Sequence, residues 1–516
     1  MFTTVMTIGL IPCLFLLGGC QHNPLKTNSK SLAAEILQDE ASRLEADRAE
    51  KERRLADTLN KLPAGFRFAE DRSPDPQHQP VTINIAGNLN NIRNLRLSDV
   101  ARSIRYIPLE TPPDSSFSRV MKFRYVLTPD YIIAINPSGI LLYSREGKYI
   151  TTIVKNEFTG IRIEKEMMVT RSDHTFVGAG LFAKTNENTL FYSYRNTLTG
   201  QRYIMEYDCS RMPLGSDLGY DPENPTKIRA LGEVVIDLNG RKPPEPAAST
   251  NARGMWSASP EYLYNQLGVF LLDRNTYLRQ TATPYTMGNA PVLAVFSVQG
   301  DTLATFRQQE TIHSWSKPNM RGTDPGCRYE RNGNLYFREA YSDTVFRIIP
   351  PNRMLPVWVL NLGSYKLSRH QGLDPDANLQ GKIIPESWAE TGKYLFLTFT
   401  KDSYDCPNTR KNRQLNLYYA LYNKSTYELI IIRSDPKDYD SEILLNDLDG
   451  GTPVWPESYM IGNGGDILIS LKGGELKERV LSEAFRLSSA PAEKKEKLAK
   501  LAESIDTDTD VLMIIE

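Results

Sequence analysis

The fold of this chain is constrained most by short apolar runs that recur, with short turns between them, from about residue 81 to residue 471. In the first clear set, runs at 131–135, 140–143 and 149–154 are separated by a few residues rich in Pro, Gly and Ser. Turns of this length leave no room for a crossover helix, so neighbouring strands run antiparallel. The sequence therefore predicts an all-β chain made of small meanders.

The meander pattern recurs five more times along the chain. The further apolar runs fall at 175–179, 190–194 and 203–207, at 291–296 and 301–306, at 334–337, 343–348 and 357–360, at 394–399, 415–419 and 429–432, and at 466–470. One small sheet cannot cover both of its faces alone, whereas radial packing of several sheets covers them and leaves only short edges. We therefore predict a six-bladed β-propeller of antiparallel four-stranded blades over residues 97–516.

The end of the chain departs from the meander pattern. Residues 475–488 and 492–504 have apolar side chains at helical spacing, and residues 511–515 form a last apolar run. We expect a helical insertion over 475–505, followed by a closing strand at 511–515 that completes the last blade. Residues 104–109 are expected to join the same sheet, so that hydrogen bonds between the two ends of the propeller close the ring.

A long charged helix is predicted before the propeller, at residues 31–62, which are nearly free of Gly and Pro. Its acid–base pairs at i,i+4 spacing, with the acid first, are Asp39 with Arg43, Asp47 with Lys51, and Glu50 with Arg54. Charged residues interrupt its apolar stripe, which favours a solvated stalk over a coiled coil. Residues 63–96 are then a linker that leads into the propeller.

The first twenty residues predict a lipoprotein signal peptide. An uncharged apolar run that begins at Met1 ends in Leu17-Gly18-Gly19-Cys20, and it is too short to span a bilayer comfortably. We therefore expect residues 1–20 to contain the signal, with lipid attached to Cys20 as the membrane anchor. Because the N-terminal part of the run has no Lys or Arg, the alternatives are an uncleaved anchor and an apolar run that is not a signal.

The residues after the signal bear on the membrane. Residues 21–30 form a polar leader in which Gln21 stands where inner-membrane lipoproteins commonly carry Asp. Its charges are only Lys26 and Lys30, so it lacks an acidic surface-export signal. We predict lipid anchorage in the outer membrane on the periplasmic face, with the cell surface as the alternative.

Five segments carry a likeness to a known family, and they occur at 97–100, 104–111, 342–348, 360–366 and 511–514. In this order they resemble the six-bladed β-propeller lipoproteins that are abundant in Bacteroidetes. The resemblance covers roughly residues 97–516 and implies the fold. It implies no catalytic residue, because that family has no generally established activity. The charged helix and an insertion at about 243–260 depart from the family pattern.

The composition and the motifs argue against several classes of function. Lys and Arg number 61 against 62 Asp and Glu, which gives no electrostatic reason to expect a nucleic acid as partner. The five histidines and Cys209, Cys327 and Cys406 do not stand at metal-ligand spacing, and we expect buried structural cysteines. Residues 446–451 and 506–510 resemble parts of a calcium loop, although ordinary turns explain them better. We therefore expect no metal and no cofactor.

Aromatic residues beside polar or charged groups recur just before or between the blades. The candidate ligand-binding residues are Trp315, Arg321, Glu386, Trp388, Trp455 and Glu457. In a propeller, loops that lead into the innermost strands collect around the mouth of the central channel, so equivalent positions in different blades can face one ligand. The alternative is that these tryptophans pack between blades and the glutamates are local turn partners.

Three functions are compatible with these observations. The leading hypothesis is a lipid-anchored, non-catalytic periplasmic propeller that binds a glycan, a peptide or a protein partner. The second is a glycan-degrading hydrolase or lyase in which Glu386 and Glu457 are paired carboxylates. The third is a structural component of an envelope assembly, held through the helix at 31–62.

Overall fold

The computed structural model describes most of the chain after residue 42. The described residues are 43, 46–47, 49–63, 65–113, 123–136, 139–155, 158–164, 167–172, 174–176, 182–183, 188–196, 202–211, 231–237, 269–281, 291–311, 324, 326–374, 377–402, 417–433, 443–462 and 464–516. The predicted signal peptide and leader lie outside these residues. The chain divides into two compact units, Met1–Leu62 and Pro63–Glu516.

The first unit is described from residue 43, and its described residues at 43, 46–47 and 49–59 are helical. Two of the expected ion pairs are present, since Lys51 lies 2.5 Å from Asp47 and Arg54 lies 2.7 Å from Glu50. These side chains are largely exposed, and such pairs contribute only a few tenths of a kcal/mol each. No helix among the described residues is long and apolar enough to cross a membrane.

The second unit begins with a segment of three short strands, at residues 63–108, that precedes the first blade. The strands are β1 (Val81–Asn84), β2 (Leu95–Arg96) and β3 (Ile104–Pro108). One helical turn, α1 (Ile85–Asn88), follows β1, and the Asn84 side chain caps it by accepting a hydrogen bond from the Gly87 amide. A 3-10 turn, Leu97–Asp99, follows β2.

Six small sheets form the blades of a β-propeller, as predicted. Blades 1, 3, 4 and 5 have four antiparallel strands each, and in blade 4 the strand β1 is added in parallel. From the innermost strand outward, blade 1 consists of β4 (Arg124–Leu127), β5 (Tyr131–Asn136), β6 (Gly139–Ser144) and β7 (Tyr149–Lys155). A separate hairpin of β8 (Phe158–Glu164) and β9 (Met167–Ser172) precedes blade 2, which consists of β10 (His174–Phe176) with β11 (Phe182–Ala183), then β12 (Thr189–Asn196), β13 (Arg202–Asp208) and β14 (Glu233–Asp237). Blade 3 consists of β15 (Val269–Leu271), β16 (Thr276–Gln280), β17 (Pro291–Ser297) and β18 (Thr302–Arg307).

The other three blades continue the ring. Their strands are β19 (Cys327–Arg331), β20 (Asn334–Arg338), β21 (Thr344–Ile349) and β22 (Arg353–Asn361) in blade 4; β23 (Ile383–Glu390), β24 (Tyr394–Lys401), β25 (Leu417–Asn423) and β26 (Leu429–Arg433) in blade 5; and β28 (Ile467–Lys472), β29 (Asp510–Ile515) and β3 in blade 6, after the short strand β27 (Leu444–Leu445). Blade 6 thus has three described strands instead of the expected four.

The ring is closed by the two ends of the propeller, as the sequence predicts. Strand β29 lies between β28 and β3, antiparallel to both, with Met513 opposite Ile469 on one side and Tyr106 on the other. The apolar side chains of β29 are fully buried, because this strand is central in its sheet. The amide of Arg102 also donates a hydrogen bond to the carbonyl of Glu516.

The hydrophobic core lies between the blades and not within any one of them. Five clusters of buried side chains join neighbouring sheets, between blades 1 and 2, 2 and 3, 4 and 5, 5 and 6, and 6 and 1. Strands in the middle of a blade are therefore buried on both faces, which explains why a run such as Ile132–Ile135 is apolar without alternation.

The predicted C-terminal insertion consists of three helices, α2 (Gly473–Leu481), α3 (Glu483–Leu487) and α4 (Ala492–Ser504). A further helical turn, at Arg369–Leu373, leads into blade 5. Leu476 and Leu498 pack against the cluster between blades 5 and 6, which seats the insertion on the propeller. Leu481 and Leu487 point away from this cluster and are exposed.

Residues 68–96 form a strap along the outer edges of three blades. The amide of Phe68 donates to the carbonyl of Leu303 in β18, and β1 pairs in parallel with β22. Further on, Asn91 and Arg93 exchange hydrogen bonds with Ile431 in β26, and β2 pairs with β27. Outer strands expose unpaired amides and carbonyls, so the strap covers edges that would otherwise be open to solvent or to other chains.

We expect Ile83→Ala in the strap to lower the free energy of unfolding by about 2–4 kcal/mol. Ile83 is fully buried against blades 4 and 5, so its truncation leaves a cavity. The exposed neighbour Thr82 provides the control, and Thr82→Ala should cost less than about 0.5 kcal/mol. Chemical denaturation measures both. Equal small effects would mean that the strap contributes little to the stability of the ring.

Candidate functional site

The centre of the ring is covered on one side by the loop that leads into β28. We name this side, where the innermost strands begin, the upper face. The loop contains a 3-10 turn at Ser458–Met460, which contacts the innermost strands of blades 1, 4, 5 and 6. A turn that touches four of the six blades lies over the central channel. Residues on it and beside it therefore face the channel mouth, where the sequence predicted a ligand site.

Trp455 and Glu457 belong to this loop. The Trp455 ring packs edge-on against Phe396 and Tyr419 of blade 5, with ring centroids 5.2 Å apart in both cases. Glu457 directly precedes the 3-10 turn, and burial raises the pKa of its carboxyl, while a hydrogen bond with Tyr459 lowers it. The same carboxylate and burial raise the pKa of the Tyr419 phenol, with burial the larger cause.

Glu386 is placed on the innermost strand of blade 5 by a β-bulge. The register of β23 against β24 shifts between Pro385 and Ser387, so Glu386 is the extra residue. Its Oε1 accepts a hydrogen bond from the Thr400 hydroxyl at 3.0 Å, and burial raises the pKa of its carboxyl. Bulges commonly redirect a side chain at a functional site, because they break the regular alternation of the strand.

A buried ion pair, Asp324 with Arg338, supports Glu386 from blade 4. The guanidinium donates two hydrogen bonds to the carboxylate, from Nη1 to Oδ2 and from Nη2 to Oδ1, both at 2.7 Å. Arg338 also donates to the Pro385 carbonyl at 3.3 Å, which ties blade 4 to the bulge in blade 5. Both side chains are at most 3% exposed. This pair was not predicted from the sequence, although an arginine at the end of an apolar strand is a usable signal.

The other predicted ligand-binding residues have different positions. Trp388 is buried between blades 4 and 5, where its ring stacks on Tyr329 with centroids 6.2 Å apart. Trp315, Arg321 and the predicted lipid-attachment residue Cys20 lie outside the described residues. Glu386 thus lies on the innermost strand of blade 5 and Glu457 lies directly before the turn over the channel. Trp388 packs between blades 4 and 5, and Trp455 packs against the cluster between blades 5 and 6.

The residues considered for metal binding form turns and ion pairs. The side chain of Asn446 accepts from the amide of Asp449 and donates to its carboxylate, as in an Asx turn, and Asp447 binds Ser98. Asp510 pairs with Lys472 at 2.7 Å. Within the described ranges, no group of three or more His, Cys, Asp or Glu residues is placed to hold a metal ion.

Among the described residues, both cysteines, Cys209 and Cys327, carry free thiols. Burial raises the pKa of the Cys209 thiol to about 12 and that of the Cys327 thiol to about 11. A thiol with a raised pKa is a poor nucleophile at neutral pH, so these cysteines act as apolar side chains. Cys406 lies outside the described residues.

We expect Glu457→Gln to raise the free energy of unfolding at pH 8 and to leave it unchanged near pH 4. A carboxyl whose pKa is raised in the folded protein ionises at a cost that the unfolded chain does not bear, so the charge destabilises the fold above that pKa. Below the usual carboxyl pKa, the Glu457 carboxyl is protonated in both the folded and the unfolded protein, so the gain in stability disappears. Denaturation across this pH range measures the effect, with the exposed Glu478→Gln as the control. A gain that is equal at both pH values would contradict the assignment.

The fold and this site define the chain as a six-bladed β-propeller whose channel mouth is covered by a loop with a tryptophan and a glutamate. Within this class, the chain belongs to the family described as "Domain of unknown function (DUF4933)", whose model matches residues 63–482. The matched region includes the strap, blades 1 to 5 and the loop over the channel. No curated protein matches the chain.

Solved structures give distant likenesses. A protein of Bacteroides fragilis NCTC 9343, described as exported, is 11% identical with a TM-score of 0.46, over 84% of this chain and 99% of that chain. Saccharomyces cerevisiae Dbp5 bound to Nup159 and Gle1 gives 9% identity and a TM-score of 0.28, over 79% of this chain and 76% of that chain. An α-L-arabinofuranosidase of Clostridium thermocellum is 10% identical with a TM-score of 0.20, over 62% of this chain and 96% of that chain.

Proposed function

We propose that this protein is a non-catalytic binding propeller of the cell envelope, whose ligand contacts the upper face of the ring. The observation that carries the proposal is the 3-10 turn at Ser458–Met460, which contacts four innermost strands and directly follows Glu457. Propellers commonly bind ligands at this position because loops from several blades converge there.

The side chains at this face suit a ligand that donates hydrogen bonds. Glu386 and Glu457 provide carboxylate oxygens that are partly buried, and Trp455 provides an aromatic ring beside them. Hydroxyl groups of a glycan or amide groups of a peptide can donate to such oxygens, while apolar faces of sugars or side chains pack on the ring. The ligand class is therefore a glycan, a peptide or a protein segment with exposed donors.

A binding screen tests this proposal. Glycan and peptide arrays are probed with the wild-type protein and with Glu457→Gln and Trp455→Ala, with Glu478→Gln as a matched control on the insertion. We expect one ligand class to be retained by the wild type and the control, and its affinity to fall at least tenfold in the two site variants. Equal binding by all four proteins would place the ligand elsewhere and overturn the proposed site.

A hydrolase or lyase is the second candidate, and one observation favours it. Burial raises the pKa of both Glu386 and Glu457, and a general acid needs a carboxyl that keeps its proton near neutral pH. The glycans that bind are incubated with wild type and with Glu386→Gln. If the wild type converts the glycans and the variant does not, the protein is an enzyme and the non-catalytic proposal is wrong. If the wild type leaves the glycans unchanged, the result supports the binding function.

We further propose that lipid on Cys20 anchors the protein in the outer membrane, facing the periplasm. The support is the sequence Leu17-Gly18-Gly19-Cys20 together with a leader that lacks an acidic export signal. Mass spectrometry of the N-terminal peptide should find a lipidated cysteine, and Cys20→Ser should release the protein from the membrane fraction. Protease added to intact cells separates the two faces, because only a surface-exposed protein is cleaved.

A further inference from the structure

A row of side chains on blade 4 faces blade 5, away from the site at the channel mouth. Tyr329 stands opposite Tyr336, and Tyr336 stands opposite Arg347, so the three side chains share one face of the sheet. The rings of Tyr329 and Tyr336 stack with centroids 4.8 Å apart, and Trp388 of blade 5 stacks on the other side of Tyr329. This face of blade 4 is therefore the one that packs toward blade 5.

A single buried carboxylate, Glu390, lies at the end of this row. It accepts a hydrogen bond from the Tyr329 hydroxyl at 2.6 Å and one from Lys424 Nζ at 3.1 Å. Arg331 forms an ion pair with the same carboxylate. The side chain of Glu390 is 2% exposed, whereas those of Arg331 and Lys424 are 20% and 14% exposed. One negative charge is thus held between two cations that reach the surface.

Arg347 adds a third cation to this group. Among the described residues, no acidic side chain pairs with it, and its Nε is buried without a hydrogen-bond partner. Burial and the Glu390 carboxylate raise the pKa of the Tyr336 phenol, while Arg347 and Arg331 lower it. Arg347 stands directly opposite Tyr336, next to the stacked Tyr329 that donates to Glu390. The cluster of Arg331, Arg347 and Lys424 therefore carries more positive charge than Glu390 neutralises.

An excess of partly buried positive charge is unfavourable unless a counter-ion or a ligand balances it. Guanidinium groups present several N–H donors in a plane, which matches the oxygen atoms of a carboxylate, a phosphate or a sulfate. These cations can be reached from solvent, because Tyr336 and Arg347 are partly exposed. All the cations come from blades 4 and 5, so the site is preformed by the ring itself.

We propose that this cluster of cations at the interface of blades 4 and 5 binds a small oxyanion, with Arg347, Arg331 and Lys424 as its ligands. The charged group is a phosphate, a sulfate or a carboxylate, either as a free ion or as part of a small organic acid. The proposal is independent of the site at the channel mouth, because the two share no residue.

Thermal unfolding and calorimetric titration of the full chain test the site. The probes are sodium phosphate, sulfate and acetate, each compared with sodium chloride at equal ionic strength. We expect at least one oxyanion to raise the melting temperature beyond chloride and to bind with a stoichiometry near one. Arg347→Met keeps the aliphatic stem and removes the unpaired charge, and it should weaken binding at least tenfold. Arg486→Met, at an exposed position of α3, should leave binding unchanged.

The same variants separate an anion site from a purely structural role. In the absence of oxyanion, Arg347→Met should be at least as stable as the wild type, since it removes like-charge repulsion within the cluster. A melting temperature that falls in Arg347→Met with every salt alike would assign Arg347 to packing and overturn the site. Equal responses of both proteins to the oxyanions, or no response beyond chloride, would also overturn it.

Discussion

Leu512→Asp should prevent the chain from reaching a folded ring, with a loss of at least about 4 kcal/mol in the free energy of unfolding. Leu512 is fully buried in the central strand of blade 6, opposite Ile107 of β3, and packs in the cluster between blades 6 and 1. A carboxylate there has no partner and disrupts the sheet that holds both ends of the propeller. Because a domain is stable by only about 5–15 kcal/mol, this cost removes most of the margin.

The matched control for this variant is Leu481→Asp, in the insertion between β28 and β29. Leu481 is 86% exposed, so an aspartate there stays in water and should change stability by less than about 0.5 kcal/mol. Circular dichroism, gel filtration and chemical denaturation measure both variants. A Leu512→Asp protein that folds with near wild-type stability would contradict the closure of the ring through β29.

Arg338→Met should lower the free energy of unfolding by about 3–5 kcal/mol. The substitution leaves the Asp324 carboxylate buried with only the amides of Gly326 and Tyr341 as hydrogen-bond donors. It also removes the hydrogen bond from blade 4 to the Pro385 carbonyl beside the bulge. Since Glu386 lies on that bulge, ligand binding at the upper face should weaken along with stability.

The double variant with Asp324→Asn and Arg338→Met separates the unpaired charge from the lost contacts. We expect it to be more stable than Arg338→Met alone by at least about 1 kcal/mol, because the neutral amide no longer leaves a buried charge unpaired. Denaturation of both single variants and of the double variant gives the coupling energy. Effects that add within about 0.5 kcal/mol would mean that the two residues act independently.

The blades could be predicted from the sequence because their signal is local. Apolar runs at 131–135, 140–143 and 149–154 became β5, β6 and β7, since each meander is fixed by short turns between adjacent strands. The closing strand was predictable for a different reason. Residues 511–515 are apolar without alternation, which is the pattern of a strand buried on both faces.

The strap could not be read from the sequence, because its pairings join residues that are far apart. The strand at Val81–Asn84 is short, and its partner β22 lies more than two hundred residues later in the chain. A parallel pairing with an outer edge leaves no turn or period in the sequence to indicate it. Residues 63–96 were therefore predicted to be a linker.

The site was predictable only in part, for a similar reason. The pattern of aromatic residues beside charged groups predicted Glu386 and Glu457, which lie on the inner strand of blade 5 and beside the turn over the channel, and their part in ligand binding stays a prediction. It did not distinguish Trp388, whose stacking on Tyr329 depends on how blades 4 and 5 pack. Contacts between blades, such as Asp324 with Arg338, are decided by tertiary packing alone.

Native-state hydrogen exchange of the full chain tests the closed ring most directly. The amides of β29, and those of β3 that point toward β29, hydrogen-bond within one sheet. They should therefore exchange only through global unfolding, at the same free energy as the amides of β5 and β6 in blade 1. Exchange of β29 and β3 through a local opening of lower free energy, while blade 1 stays protected, would contradict a propeller closed by its two ends.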